Sequence, residues 1–209
     1  MLLASEFETK FGKFEEDILK YINIARSEPQ AIIDVLTKSI HIFERKNEAD
    51  SGSDDDEERE EIMETISFLR NHKTVVNLEY LKPLAISSQN QLQHILKTGE
   101  ITHIGENYRN MSDRIGSAVK AKGSYAECFV MGQQIPETIV LSLLIDFGLE
   151  DKPNRKILMD NCFKSVGVAF IKDFQNTPLC VLHFFGDTKS KLNTIFMDNP
   201  LDEAPWWVN

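Results

Sequence analysis

Residues 101–170 carry isolated polar side chains in apolar or helical surroundings. This stretch reads ITHIGENYRNMSDRI at 101–115, SYAECFVMG at 124–132 and IPETIVLSLLIDFGLEDKPNRKILMDNCFKSVGVAF at 135–170. His103 follows a predicted helix, and Glu127 lies within a short strand-like run. Asp146 lies near the end of an apolar helix, and Asn154 follows in KPNRK. These four residues are the candidates for a polar cleft.

Two apolar runs, one at the end of this stretch and one shortly after it, predict a pair of antiparallel strands. Lys164–Ile171 and Leu179–Phe185 are apolar at nearly every position, and a turn near Asp173–Pro178 joins them. Ala126–Met131 is a third predicted strand. Strands that are apolar on both faces need helices on both sides of the sheet. The sequence therefore predicts an α+β domain with a mostly antiparallel sheet between two layers of helices.

Helix signals precede and interrupt these strands. A capping box at Ser5 and Glu8 opens a first helix with an apolar stripe that ends near Ala25. Pro29 opens a second helix, and Glu60–Arg70 has one apolar face. Further helices are predicted from Pro83 to a C-cap at Gly99, over Met111–Val119, and from Pro136 onward through Phe147.

The motifs resemble those of the CAP superfamily, which includes cysteine-rich secretory proteins, antigen 5 and the plant pathogenesis-related-1 proteins. His103 stands in an H-x-G sequence about ten residues before the pair Arg114 and Ile115. Glu127 stands in Ala-Glu-Cys where the family has Gly-Glu-Asn, and Asp146 matches a second acidic position. The sequence INIARSEPQAI is similar to the first-helix motif I-N-x-x-R-x-x-P.

The resemblance implies a three-layer α-β-α sandwich with a cleft that carries two histidines and two acidic residues. In several members of the family this cleft holds a divalent metal. Here Asn154 stands where the family has its second histidine, so the resemblance implies a degenerate cleft of His103, Glu127, Asp146 and Asn154.

The donor set of this cleft is a poor match for a metal. One imidazole, two carboxylates and one amide fit Zn²⁺ badly, because a neutral carbonyl is a weak zinc ligand. Ca²⁺ and Mg²⁺ prefer more oxygen ligands than this. The alternative is that His103 and Glu127 form a structural hydrogen-bonded pair. No complete catalytic group accompanies them, so no catalytic residue, metal or cofactor is predicted.

Composition limits the classes of protein to which the chain can belong. The chain has 209 residues, 42% of them hydrophobic, which suffices for one sizeable core. No apolar run is long enough to span a membrane, and MLLASEFETK lacks the features of a secretory signal. Its three cysteines, Cys128, Cys162 and Cys180, are a poor disulfide framework. We therefore expect a cytoplasmic protein.

The net charge of −10 is concentrated in one segment. Ten acidic residues and one basic residue lie between Glu48 and Glu64. Residues 47–58 are predicted to be a solvated, disordered insertion, or alternatively a docking site for a basic partner. It separates residues 1–46 from residues 59–186 of the same domain, and a tail at 187–209 follows. Basic patches are absent from the sequence, so nucleic-acid binding has no electrostatic support.

Two classes of function follow from these observations. The first is a non-enzymatic structural or protein-interaction subunit of a larger assembly, with the cytoskeleton or a cilium as one candidate location. In that hypothesis Trp206 and Trp207 of the tail bind a partner protein. The second is a cleft that binds a small ligand, a lipid or a divalent metal. A metal-dependent hydrolase is the least favoured alternative.

Overall fold

The computed structural model describes residues 12–47 and 53–187, with side chains described for residues 12–40 and 56–187. The helices of the described part are α1 (Lys13–Ser27), α2 (Pro29–Asn47), α3 (Ser53–Asn71), α4 (Lys82–Thr98), α5 (Met111–Val119), α6 (Pro136–Ile145) and α7 (Pro153–Met159). A short 3-10 helix spans Glu106–Tyr108. The strands are β1 (Glu79–Tyr80), β2 (Ser124–Met131), β3 (Ser165–Phe174) and β4 (Thr177–Gly186).

The four strands form one mixed sheet in the order β1-β3-β4-β2. The pairs β3–β4 and β4–β2 are antiparallel, and the two-residue β1 pairs with β3 in parallel. A tight turn at Gln175 and Asn176 joins β3 to β4, and both residues have left-handed backbone angles (φ 53° and 67°). The prediction of a mostly antiparallel sheet is confirmed.

Helices cover both faces of this sheet. On one face, Val166, Cys180 and Leu182 belong to a buried cluster that also takes in side chains of α1, α2, α3, α6 and α7. On the other face, Ala169, Leu179 and Val181 pack with side chains of α4, and α4 in turn packs against α5. Residues of opposite parity along each strand thus enter two different cores. The α+β sandwich with a helix layer on each side is confirmed.

Helix α4 makes a direct backbone contact with the sheet at Gly167. A Cβ atom on this glycine would lie 2.1 Å from the amide nitrogen of Ala85 and 2.2 Å from the carbonyl carbon of Leu84. The Ser88 hydroxyl donates to the Gly167 carbonyl at 3.0 Å. Because β3 residue Gly167 pairs with His183 of β4, this contact lies beside the polar cluster described below.

The first-helix motif acts as a structural anchor. Arg26 is fully buried, and its guanidinium donates hydrogen bonds to backbone carbonyls of Val76 (2.7 Å), Leu158 (2.5 Å), Asp160 (3.2 Å) and Phe163 (3.1 Å). Burial lowers the pKa of Arg26 from 12.5 to about 10, which leaves it charged at neutral pH. Asn23 exchanges two hydrogen bonds with the backbone of Leu78. Both side chains therefore fix α1 to loops from distant parts of the chain.

The structure corrects the predicted insertion. Helix α3 begins at Ser53, so residues 53–58 are helical rather than disordered, and Asn47 is the last residue of α2. Acidic residues in the first turn favour a helix through its dipole. Extending a helix that is already anchored by buried Ile62, Ile66 and Leu69 also needs no new nucleus. Residues 48–52 lie outside the described residues.

Other predicted boundaries need smaller corrections. The turn between β3 and β4 is shorter than the predicted Asp173–Pro178, because both strands run farther toward it. Helix α6 ends at Ile145, before Phe147. Two elements were not predicted, β1 and α7. The capping box at Ser5, the tail from residue 188, and Trp206 and Trp207 lie outside the described residues.

Two predicted helices match the structure closely. The helix over Met111–Val119 has those bounds, and Gly99 caps α4 with a left-handed backbone (φ 76°).

Within the described ranges, none of the helices combines the length and the apolar character needed to cross a bilayer.

Candidate functional site

Glu127 lies in the middle of β2 on the sheet face that α4 and α5 cover. Its neighbours Ala126 and Cys128 enter the opposite core, so strand alternation directs Glu127 to the α4 side. The register of β2 against β4 places His183 directly opposite Glu127. Both side chains are completely inaccessible to solvent. A carboxylate in such a position needs charged or hydrogen-bonding partners.

Three side chains supply those partners. His183 Nε2 lies 2.5 Å from Glu127 Oε2, and His103 Nδ1 lies 2.8 Å from Glu127 Oε1. Arg114 Nη2 lies 3.0 Å from each carboxylate oxygen. We call these four residues, His103, Arg114, Glu127 and His183, the Glu127 cluster. Both oxygens of the carboxylate are thus engaged within the protein.

Electrostatics hold Glu127 in its ionised form. Burial acts to raise the pKa of the carboxyl, but His183, His103 and Arg114 outweigh this effect and the pKa falls from 4.5 to about 2. An ionised carboxylate only accepts hydrogen bonds, so both imidazoles must donate to it. In the neutral tautomers, His103 therefore carries its proton on Nδ1 and His183 on Nε2.

Burial disfavours the charged form of His183. Burial lowers the pKa of the imidazole below 6.5, although Glu127 acts in the opposite direction. Sequence reasoning missed this residue, since a single histidine in the apolar run Leu179–Phe185 resembles a core residue. The composition of the run offered a signal, because His183 is the one strongly polar side chain in it. Only the register between β2 and β4 shows that His183 belongs to the site.

The loop between α4 and α5 positions His103 and Arg114. The His103 ring stacks on Phe129 of β2 with 4.7 Å between ring centroids, and its side chain is 27% exposed. Arg114 Nη2 also donates to the His103 carbonyl at 2.9 Å. Asn110 caps α5 by accepting from the Asp113 amide at 2.8 Å, which fixes the helix that carries Arg114. The predicted hydrogen bond between His103 and Glu127 is present.

Asp146 and Asn154 form a second, separate pair. Asp146 is the left-handed C-cap of α6 (φ 51°), and its carboxylate accepts from the Asn154 amide (2.7 Å), the Asn154 side chain (2.7 Å) and the Arg155 amide (3.4 Å). Burial raises the pKa of Asp146, against the opposing effect of these hydrogen bonds. The backbone amide of Asp146 donates to the Ser142 carbonyl at the end of α6, and its carboxylate caps the first turn of α7.

The four predicted cleft residues are thus brought together as two pairs. In the described part of the chain, no hydrogen bond or ion pair joins His103 and Glu127 to Asp146 and Asn154. The first pair faces α4 and α5, whereas α6 and α7 pack on the opposite face of the sheet. The described residues also contain no group of three or more His, Cys, Asp or Glu side chains that could hold a metal ion.

The cysteines are poorly suited to nucleophilic chemistry. Cys128, Cys162 and Cys180 are free and buried. Burial raises the pKa of Cys128 and of Cys180 well above the ordinary thiol value. The thiolate is the nucleophilic form of cysteine, so neither of these two side chains is activated at neutral pH.

Comparisons with known proteins give a distant likeness in fold. No family model and no curated protein matches the chain. An outer surface protein from Borrelia burgdorferi is 16% identical, with a TM-score of 0.46 over 54% of this chain and 79% of that one. An extracellular protein containing a SCP domain, from Bacillus anthracis, is 15% identical, with a TM-score of 0.40 over 60% of this chain and 38% of that one. At these values neither likeness assigns the chain to a family.

Proposed function

We propose that the chain is a non-enzymatic domain of CAP type, which acts as a structural or protein-interaction subunit of a larger assembly. The observation that carries the proposal is the saturation of Glu127. Its two oxygens accept from His103, His183 and Arg114, and its side chain has no access to solvent. A general base must reach the proton that it removes, and a metal ligand must reach the ion.

The relation to the CAP superfamily supports the same proposal. The sequence retains the family's first histidine and first acid as His103 and Glu127, but Asn154 replaces the second histidine. Asn154 instead donates to the Asp146 carboxylate from its backbone and from its side chain, so in this proposal the family's metal cleft lacks both a ligand and its geometry. We therefore favour a scaffold over the alternatives of metal, lipid or small-ligand binding and of hydrolysis.

Two exposed surfaces are candidates for partner contacts. Glu57, Glu60, Glu61 and Glu64 of α3 line a groove with Phe147 and Gly148. Lys152 and Arg155 pair with Glu61 and Glu64, which leaves the N-terminal part of this acidic face open to a basic partner. At a different place, the loop after α4 presents Tyr108, which is 94% exposed. Trp206 and Trp207 of the tail remain proposed partner contacts.

The proposed location is the cytoplasm, in a cytoskeletal or ciliary assembly. Three free buried cysteines without a disulfide are typical of a reducing compartment. The two similar structures come from proteins described as outer surface and extracellular. Fractionation of the source cell with an antibody to the chain tests this proposal, and recovery in the medium or on the cell surface would overturn it.

The assembly proposal is tested by gentle native purification of the full chain, followed by size measurement and crosslinking mass spectrometry. We expect a complex larger than the 23.9 kDa monomer, with crosslinks to one defined protein. The double variant Glu57→Lys, Glu60→Lys tests the acidic face. Its control is the double variant Lys120→Glu, Lys122→Glu, which reverses two charges elsewhere on the surface. A monomer in the native extract, or turnover of an ester or peptide substrate that Glu127→Gln abolishes, would contradict the proposal.

A further inference from the structure

Strand β2 is the last strand of the sheet in the part of the chain that the structure describes. Its eight residues all pair with β4, and the Gly132 amide continues this register by donating to the Pro178 carbonyl at 3.0 Å. The even-numbered residues of β2 therefore exchange hydrogen bonds with β4. The odd-numbered residues direct their N–H and C=O groups to the outer edge of the sheet: Tyr125, Glu127, Phe129 and Met131.

This edge lacks the features that usually prevent a strand from pairing with another chain, which are proline, a bulge, short length or a solvated charge. β2 contains no proline, and its pairing with β4 has no register shift. Its one charged side chain, Glu127, has no access to solvent and is already paired within the protein, so a further strand would not desolvate it. By contrast, β1 at the other edge has two residues, and β3 ends with exposed Lys172 and Asp173 beside a register irregularity.

The covering helices contact β2 through side chains on its two faces. Tyr125 packs with Ile115 of α5 on one face. Ala126, Cys128 and Val130 belong to the core that includes α6 on the other face. A further strand would lie between these two layers, in the plane of the sheet and about 4.8 Å from β2. Such a strand would continue the sheet with the same two covered faces.

We propose that the outer edge of β2 pairs with β2 of a second copy of this chain, antiparallel and about a two-fold axis at Cys128. In this register Tyr125 lies opposite Met131 of the second copy, and Glu127 lies opposite Phe129 of the second copy. All the outward backbone groups of β2 then find partners in both copies.

The side chains on the other face also suit this register. Ala126 lies opposite Val130 of the second copy, and Cys128 lies opposite its own equivalent. A small residue thus faces a larger one, and neither pair brings like charges together. Closed two-fold symmetry is also the commonest arrangement of protein oligomers.

The charges that flank β2 favour an antiparallel copy as the occupant. Lys120 and Lys122 precede the strand and are exposed, whereas Glu137 follows it and is partly exposed. Antiparallel pairing brings the basic end of each copy toward the acidic end of the other, whereas parallel pairing would bring like charges together. The inference goes beyond the proposed function and does not depend on it, because a catalytic or ligand-binding domain with this strand would have the same edge.

The test combines sedimentation equilibrium of the full chain with amide hydrogen exchange followed by NMR. Over about a hundredfold range of protein concentration, we expect a species of twice 23.9 kDa that dissociates to monomer on dilution. The amides of Tyr125, Phe129 and Met131 should exchange at least about tenfold more slowly in the dimer than in the monomer. The amides of Cys128 and Val130, which face β4, should be protected in both.

The variant Met131→Lys places a charge on the edge and should shift the equilibrium to monomer. Its matched control is Met63→Lys, because Met63 is 49% exposed on α3 and the substitution changes the net charge equally. The control should form dimers as the wild type does. An equal dimer fraction in a folded Met131→Lys and in the control would contradict the proposal.

The wild-type measurements decide the matter even where Met131→Lys fails to fold. A wild-type monomer throughout the concentration range would overturn the inference. Slow exchange of the odd-numbered amides in that monomer would identify another segment of the same chain as the occupant, and protection only after a different protein binds would identify a partner's strand. A dimer in which these amides exchange rapidly would place the interface elsewhere. A dimer that binds no other protein would support this inference without supporting the larger assembly.

Discussion

Glu127 owes its ionisation to three neighbouring side chains rather than to solvent. His103, His183 and Arg114 surround a carboxylate with no solvent access. Removing one member of a buried charged group leaves its partner unpaired, which is commonly worth 3–5 kcal/mol. The stability of the domain should therefore depend strongly on this residue.

The first prediction concerns Glu127→Gln and acid unfolding. The folded pKa of about 2 lies below the unfolded value of 4.5, so Glu127 stabilises the fold above pH 4.5 and this contribution is lost as pH falls toward 2. The difference corresponds to roughly 3 kcal/mol. We expect Glu127→Gln to lower the free energy of unfolding by about this amount at pH 7 and to flatten its pH dependence below 4.5, as measured by urea denaturation.

The control for this variant is Glu106→Gln, because the Glu106 side chain is 70% exposed. It should leave the unfolding midpoint nearly unchanged. Equal stabilities for wild type and Glu127→Gln at neutral pH would show that the cluster contributes nothing to the fold.

The sequence alone predicted part of the Glu127 cluster. His103 and Glu127 stood out as polar residues in apolar surroundings, and a hydrogen bond between them was one of the alternatives. His183 could not be assigned from sequence, because its role depends on the register between two strands far apart in the chain. Asp146 and Asn154 share the spacing of a cleft motif, yet the hydrogen bonds of the Asp146 carboxylate are those of a local helix cap.

Helix α1 is fixed by the Arg26 side chain, which donates to backbone carbonyls rather than to carboxylates. Arg26 reaches four carbonyls in two separate parts of the chain, at Val76 and between Leu158 and Phe163. Periodicity predicted the apolar stripe of α1 but gave no indication of those acceptors. Helix α3 shows the opposite error of sequence reasoning. Its run of acidic residues predicted disorder, yet the run extends a helix that is anchored farther along the chain.

The second prediction is that Arg26→Met is strongly destabilising. The variant keeps much of the side-chain volume but leaves several buried carbonyls without donors. We expect a loss of at least about 3 kcal/mol in the free energy of unfolding. The exposed substitution Lys20→Met on the same helix is the control, and it should change the melting temperature by no more than a degree or two. Similar melting temperatures for the two variants would refute the anchoring role.

The third prediction concerns the loop between α4 and α5. Tyr108 has a left-handed backbone (φ 57°) and is 94% exposed, so its side chain contributes little burial to offset the strain. Asparagine tolerates this conformation better than tyrosine does. Tyr108→Asn should stabilise the fold by up to about 1 kcal/mol, measurable as a rise in melting temperature.

The matched control is Val76→Asn, because Val76 is also exposed (47%) but does not have a left-handed backbone. It offers no strain to relieve, so no gain is expected. A decrease in stability for Tyr108→Asn would mean that the tyrosine side chain packs in the folded protein.

For the whole molecule, the sandwich was predictable because two strands apolar on both faces require two helix layers. The helix boundaries followed from proline and glycine signals at Pro29, Pro136 and Gly99. The division of the polar residues between the two layers was not predictable, since it depends on which side of the sheet each element packs. Because the polar residues are divided between the two layers, they do not form the single cleft that metal binding would need. This is the difference between the proposed scaffold and a metal-binding domain.

Zinc titration calorimetry on the wild type and on Asn154→His, both dialysed against chelator, tests whether the Asp146–Asn154 pair is separate from the Glu127 cluster. The exposed variant Asn71→His controls for a histidine added to the surface. Because Asn154 donates to the Asp146 carboxylate and makes no hydrogen bond with the Glu127 cluster, we predict no stoichiometric zinc in any of the three proteins. Tight binding of one Zn²⁺ per wild-type chain, or an affinity at least about tenfold higher in Asn154→His than in Asn71→His, would contradict the account.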